Sequence, residues 1–207
     1  MPDKNKDHWY DGWFYEKIIA PNQDGLFKQI QDLIEPDSSI IDVGCGTGRF
    51  SFLIGEKCSS IFGIDISKRN IDRAHRLLSG NPNEKISFLH AGIGDIISEN
   101  NRHFDYAVMT YVLHEIDEGE RVQLLKKAAR IADTIIIGDY LVSKPEGFWS
   151  WLNELVEFAA GKDHYKNYKQ FISNGGAPAV VHKAGLKVIH EVRNNPSTSH
   201  IVLAVKQ

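Results

Sequence analysis

Cysteine is scarce in this chain: Cys45 and Cys58 are the only two among 207 residues. No disulfide framework and no metal-ligand spacing can be built from them, so no metal is expected. Both read as small packed side chains rather than reactive thiols. No hydrophobic run reaches transmembrane length. The start, Met-Pro-Asp-Lys-Asn-Lys-Asp, has no apolar signal core behind it. The expectation is a cytoplasmic protein. An excess of one charge is also missing. Lys and Arg number 24 against 27 Asp and Glu, a formal net charge of −3. With no basic block, the composition argues against nucleic acid or an anionic membrane as the main partner. Repeats, low-complexity tracts and linkers are absent, so residues 1–207 read as one α/β domain.

The glycines that are present carry the most information. Residues 40–50 read Ile-Ile-Asp-Val-Gly-Cys-Gly-Thr-Gly-Arg-Phe. A buried strand runs into a tight turn with Gly44, Gly46 and Gly48 on alternate positions, and a helix leaves it. Glycine lets backbone approach a ligand with no Cβ in the way, and the helix start presents unpaired N–H groups. That geometry suits a nucleotide-like ligand at the carboxyl end of a parallel sheet. A dinucleotide fingerprint, Gly-x-Gly-x-x-Gly, needs a third glycine where this chain has Arg49. A second motif follows at 61–67, Ile-Phe-Gly-Ile-Asp-Ile-Ser. An acidic residue at this distance, at the tip of the next strand, can take both ribose hydroxyls. Asp65 either does this or caps the following helix; Ser67 is also placed to cap it.

Strand patterns fall near 39–43, 60–64, 85–90, 104–110, 134–140, 186–192 and 199–205. Helical patterns lie between them, including 24–35, 48–57, 68–79 and 118–132. Alternation of this kind predicts a doubly wound parallel sheet. The polar run Arg193–Thr198 joins the last two strands as a hairpin. Residues 144–185 hold two or three helical segments and no strand, too long for a simple connection.

The Asp42-x-Gly44-x-Gly46-x-Gly48 spacing resembles motif I of the class I S-adenosylmethionine (SAM)-dependent methyltransferases. The resemblance implies a Rossmann-like sheet of seven strands, mostly parallel with an antiparallel C-terminal strand, and here a helical insert after strand five. It implies SAM as cofactor and S-adenosylhomocysteine as product. Asp42 is placed to orient the cationic methionine end, and Asp65 and Ile66 to meet the nucleoside. Gly94-Asp95, after strand three, is the match for the adenine-facing position, with Gly92 and Ile93 as alternatives. Phe104-Asp105 resembles the start of the family's strand four, and Thr110 and Tyr111 fall where the family lines the SAM methyl and the acceptor. No Asn-Pro-Pro-Tyr or Asp-Pro-Pro-Tyr follows, which lowers a nucleic-acid reading.

Two residues near these strand ends are candidates for catalysis. His114 is either a general base or a packing residue. Asp139 orients or deprotonates an acceptor, or caps a loop. Residues 1–23 are a possible lid, with Tyr10 toward the acceptor and Tyr15 toward the cofactor. Tyr140, His164, Tyr165 and Tyr168 are candidates for the acceptor pocket. The implied reaction is in-line transfer of the SAM methyl to a small-molecule acceptor. A lipid or isoprenoid acceptor, a SAM-binding protein without catalysis and a NAD-type oxidoreductase are the competing readings. The acceptor and the oligomeric state are not legible.

Overall fold

The computed structural model describes residues 20–99, 102–142, 162–193 and 198–207. Seven strands form one sheet: β1 (Ser39–Val43), β2 (Ser60–Asp65), β3 (Ile86–His90), β4 (Phe104–Thr110), β5 (Ala132–Tyr140), β6 (Leu186–Arg193) and β7 (Ser199–Lys206). Their order is β3-β2-β1-β4-β5-β7-β6. β7 alone runs antiparallel to its neighbours, β5 and β6. The expected doubly wound sheet is therefore the observed one.

Helices cover both faces. α1 (Ala20–Leu33), α2 (Arg49–Ile54) and α3 (Lys68–Gly80) lie on one side. α4 (Ile93–Glu99), α5 (Glu118–Ile131), α6 (Lys162–Ser173) and α7 (Gly176–Lys183) lie on the other. The sequence dictates this locally. Leu26, Ile30 and Ile34 recur at helical spacing and are buried against β1, β5 and β7. Thr134-Ile-Ile-Ile lies in β5 between two covered faces, which is why it reads as a continuous apolar run. Each fully buried isoleucine there contributes about 1.5–3 kcal/mol. β6 is an edge strand and carries exposed Lys187, His190 and Arg193.

Several boundaries differ from the sequence expectation by one residue, and those of three elements by more. α1 runs 20–33 rather than 24–35, α2 is shorter than 48–57, and β5 starts at Ala132 because α5 ends one residue earlier. Helix α4, unforeseen, starts at Ile93, so Gly94 and Asp95 sit in its first turn rather than on a loop. In the 144–185 stretch, the described part is α6 and α7 with no strand. Tyr10, Tyr15, most of the 1–23 segment, residues 144–161 and most of the hairpin loop fall outside the described residues. No helix among the described residues is long and apolar enough to cross a membrane.

Candidate active site

All three glycines of the turn after β1 have positive φ: 74° at Gly44, 55° at Gly46 and 83° at Gly48. L side chains avoid this region. Two of the three also lack room. A Cβ on Gly44 would lie 2.7 Å from Val112 and one on Gly48 would lie 2.5 Å from Phe88. At Gly46 the reverse holds: a Cβ would meet nothing within 4 Å. The middle of the turn faces open space, as backbone that must receive a ligand does.

Asp65 holds that turn. Its Oδ2 accepts from the Gly46 N–H at 2.8 Å and its Oδ1 from the Ser67 N–H at 2.7 Å. Burial pushes its carboxyl up, and these donors pull it down. Of the two roles expected for Asp65, the helix cap belongs to Ser67, whose Oγ accepts from the Asn70 N–H. Asp65 ties the turn together and supports the entry to α3. Beside it Ile66 is 83% exposed, an apolar side chain at the ligand edge of the sheet. Asp42 is fully buried at the foot of the turn. Ser51 Oγ donates to its Oδ2 at 2.6 Å, whereas Oδ1 has no partner. Burial raises this carboxyl to about 7, the Ser51 bond opposes the rise and Asp65 adds to it. Burial likewise pushes the Cys45 thiol up, so it is packed and unreactive.

Asp95 lies apart from this group in role. Its Oδ2 accepts from the Gly92 N–H at 2.8 Å, the reach-back bond of a helix capping box. Gly94 sits beside it in the same helix start. Their place beyond β3 is at the ligand edge, and the carboxylate serves α4.

The second half of the site is built from distant residues. Asp139, at the end of β5, is completely buried and all four acceptor positions of its carboxylate are used. Oδ1 takes His114 Nδ1 at 2.7 Å and the Tyr140 N–H at 2.8 Å. Oδ2 takes the Leu113 and His114 N–H groups at 3.0 and 3.3 Å. Of the alternatives for Asp139, these bonds perform the capping of the loop after β4, and the same carboxylate holds the His114 ring, a role not expected of it. The His114 ring is 2% exposed. It packs 4.7 Å from the Tyr140 ring and 6.4 Å from those of Tyr111 and Tyr168, centroid to centroid. Tyr140 and Tyr168 meet at 5.1 Å. His164 and Tyr165 are half-buried on α6, one turn before Tyr168.

Residues 110–115 join the halves. Thr110 ends β4 half-buried. Tyr111 follows with a positive φ of 58°, rare for a bulky residue, and its N–H donates to Gly138 O at 2.7 Å. Its phenol donates to Ser199 Oγ at 3.3 Å. Val112 then packs against Gly44, and the 3-10 turn Leu113–Glu115 presents His114.

Sequence reasoning missed the clamp behind this segment. Arg121, only 1% exposed, donates from Nε to the Leu113 and Ile116 carbonyls, both at 2.8 Å, and from Nη2 to Asn167 O at 2.7 Å. Asn167 Nδ2 donates to Glu115 O at 2.8 Å. One signal was available: Arg121 occupies the apolar face of α5, one turn before Leu125. His200 was missed too, although a histidine among the buried residues of Ser199–Ala204 is unusual company.

Comparison with known proteins agrees with this geometry. Residues 41–133 match a family model described as a methyltransferase domain. The O-antigen chain terminator bifunctional methyltransferase/kinase WbdD of Escherichia coli is 31% identical over 118 residues, 54% of this chain and 16% of that protein. An uncharacterised RNA methyltransferase of Mycoplasma mobile is 22% identical over 102 residues, 49% of this chain and 28% of that one. This chain therefore spans well under a third of either relative. Among solved structures, the SAM-bound magnesium protoporphyrin IX methyltransferase of Synechocystis PCC 6803 superposes with a TM-score of 0.66 at 15% identity, covering 97% of this chain and 90% of that one. Fold and glycine turn together define a Rossmann-like methyltransferase scaffold. Over residues 41–133 the chain is similar to methyltransferase domains, and its fold is that of S-adenosylmethionine-dependent methyltransferases.

Proposed function

We propose that this chain transfers a methyl group from SAM to a small-molecule acceptor. One observation carries the reading. The open glycine turn and the His114–Asp139 pair are neighbours, joined through Val112 against Gly44. A cofactor cradle and a polar, tyrosine-lined acceptor edge thereby share one end of the sheet.

The residues present fit the cofactor. Gly46 leaves room for backbone approach, Asp65 offers a carboxylate for ribose hydroxyls, and Ile66 offers an apolar face for the base. Asp42 Oδ1 is a buried acceptor with no partner in the chain, suited to the cationic methionine end. Thr110 and Tyr111 border the space between cradle and pair. Bound there, SAM supplies a methyl carbon already activated by its sulfonium. Alignment and exclusion of water are then the protein's main contributions. Asp139 fixes His114 through Nδ1, and Nε2, 4.0 Å from Glu115 Oε1, is the nitrogen proposed to take an acceptor's proton. Tyr140 and Tyr168 give the edge an aromatic lining, and the N-terminal segment with Tyr10 and Tyr15 is proposed to close over it.

A second reading has its own observation. His114 and Asp139 are closed from solvent, as in a SAM-binding protein that catalyses nothing. Titration calorimetry with SAM and S-adenosylhomocysteine, followed by an acceptor screen for S-adenosylhomocysteine release, separates the two. Binding with turnover supports the enzyme, binding with no turnover on any acceptor class supports the sensor, and no binding defeats both.

A further inference from the structure

Among the described residues of the acceptor edge, one buried side chain has no hydrogen-bond partner. His200, on β7, is 3% exposed, and neither Nδ1 nor Nε2 has a hydrogen-bond partner. It pairs in register with Asp139 of β5 on one side and Arg193 of β6 on the other. Paired residues in a ladder share a face, so His200 stands beside Asp139 on the face that carries His114. It also lies at the ligand edge, because β7 is antiparallel and begins where β5 ends.

The obvious internal partner is closed to it. All four acceptor positions of Asp139 are taken by His114 Nδ1 and three backbone N–H groups. Two buried unsatisfied nitrogens destabilise a fold, and phenylalanine or leucine would fill such a place without that penalty. We propose that His200 is an acceptor-binding residue whose imidazole receives a hydroxyl group of the acceptor. The inference rests on the methyltransferase reading and adds the substrate class to it.

The chemistry selects a hydroxyl. A neutral imidazole offers one N–H donor and one acceptor nitrogen, and a hydroxyl both donates and accepts. Burial and Arg193 lower the His200 pKa, outweighing Glu191 and Asp139, which raise it. The ring is therefore neutral near pH 7 and is not an anion site. Tyr140 and Tyr168 line the same edge around His114, and the class that fits is a hydroxylated aromatic. The ring is covered in this structure, so acceptor entry displaces what covers it.

The test uses the full chain, labelled with nitrogen-15 at histidine and saturated with S-adenosylhomocysteine, and phenol as probe with toluene as control. His200→Phe and His114→Gln identify the two ring signals. Phenol is expected to shift the His200 ring nitrogens, and toluene is not. His200→Phe, or His200→Gln if the first variant fails to fold, is expected to weaken phenol binding about 10-fold, the scale of a lost buried hydrogen bond. S-adenosylhomocysteine affinity should stay within about twofold. A phenol titration that leaves the His200 signals unmoved overturns the inference, whatever happens at His114, and so does equal phenol affinity in the variant. Failure of the methyltransferase reading shows separately, as absent S-adenosylhomocysteine binding.

Discussion

The two halves of the site are built on different principles. The half proposed for the cofactor is local. Gly44, Gly46, Gly48 and Asp65 lie within 22 consecutive residues, and most of what they present is backbone geometry. The acceptor half is assembled from four separated segments: Tyr111–His114, Arg121, Asp139–Tyr140 and Asn167–Tyr168, with β7 beside them. A turn needs residues of particular backbone freedom at fixed spacing, so it leaves a pattern. A buried polar cluster needs only complementary partners, which any strand or helix can supply.

Variants can break either half and leave the other standing. The largest expected loss is in stability, at the clamp. Arg121→Met strands the carbonyls of Leu113, Ile116 and Asn167. A cost of about 3 kcal/mol is expected at roughly 1 kcal/mol per bond, lowering Tm by roughly 6–12 °C in calorimetry. A Tm within 2 °C of wild type would show that the clamp is dispensable. Next comes turnover. His114→Gln should lower methyl transfer about 100-fold, with SAM affinity within about twofold. An unchanged rate would leave His114 as a packing residue.

On the cofactor side, Asp65→Ala should weaken SAM binding about 10-fold or more, the scale of a lost hydrogen bond to a charged group. The same substitution frees the Gly46 N–H. Equal affinity in wild type and variant would remove Asp65 from the cofactor site. Gly46→Ala sharpens the point. Its Cβ has room, so only left-handed strain, about 1–2 kcal/mol, should lower stability. SAM affinity should fall further than Tm implies if the open space is the cofactor's.

The smallest expected effects per step, at most about 1.4 kcal/mol per pH unit, are pH slopes, one from each half and opposite in sign. Asp42 keeps its proton in the fold up to about 7, whereas the unfolded carboxyl loses it near 3.8. The folded state binds more protons between those values, so stability falls as pH rises across them and is level above. For His200 the folded pKa is lowered from 6.5 by burial. The unfolded state takes up the proton first, so stability falls as pH drops below 6.5. Asp42→Asn should remove the first slope and His200→Phe the second. Urea unfolding at a series of pH values measures both, and an unaltered slope in either variant refutes that assignment.

The sequence by itself determined the seven strands, the doubly wound class of the sheet and the glycine turn. Alternation of apolar runs, helical spacing and a required positive φ are all written along the chain within a few residues. It also named His114 and Asp139, each with two roles open. Tertiary structure joined them, because the β4–β5 pairing brings residues 25 apart to 2.7 Å. It also assigned Asp95 to the cap of α4, a helix of only seven residues that has too few turns to show a periodic pattern. Arg121 and His200 had only a faint signal in their apolar neighbours, and the fold showed them buried. Burial of a polar side chain is a property of what packs around it, and neighbours in sequence record that only weakly.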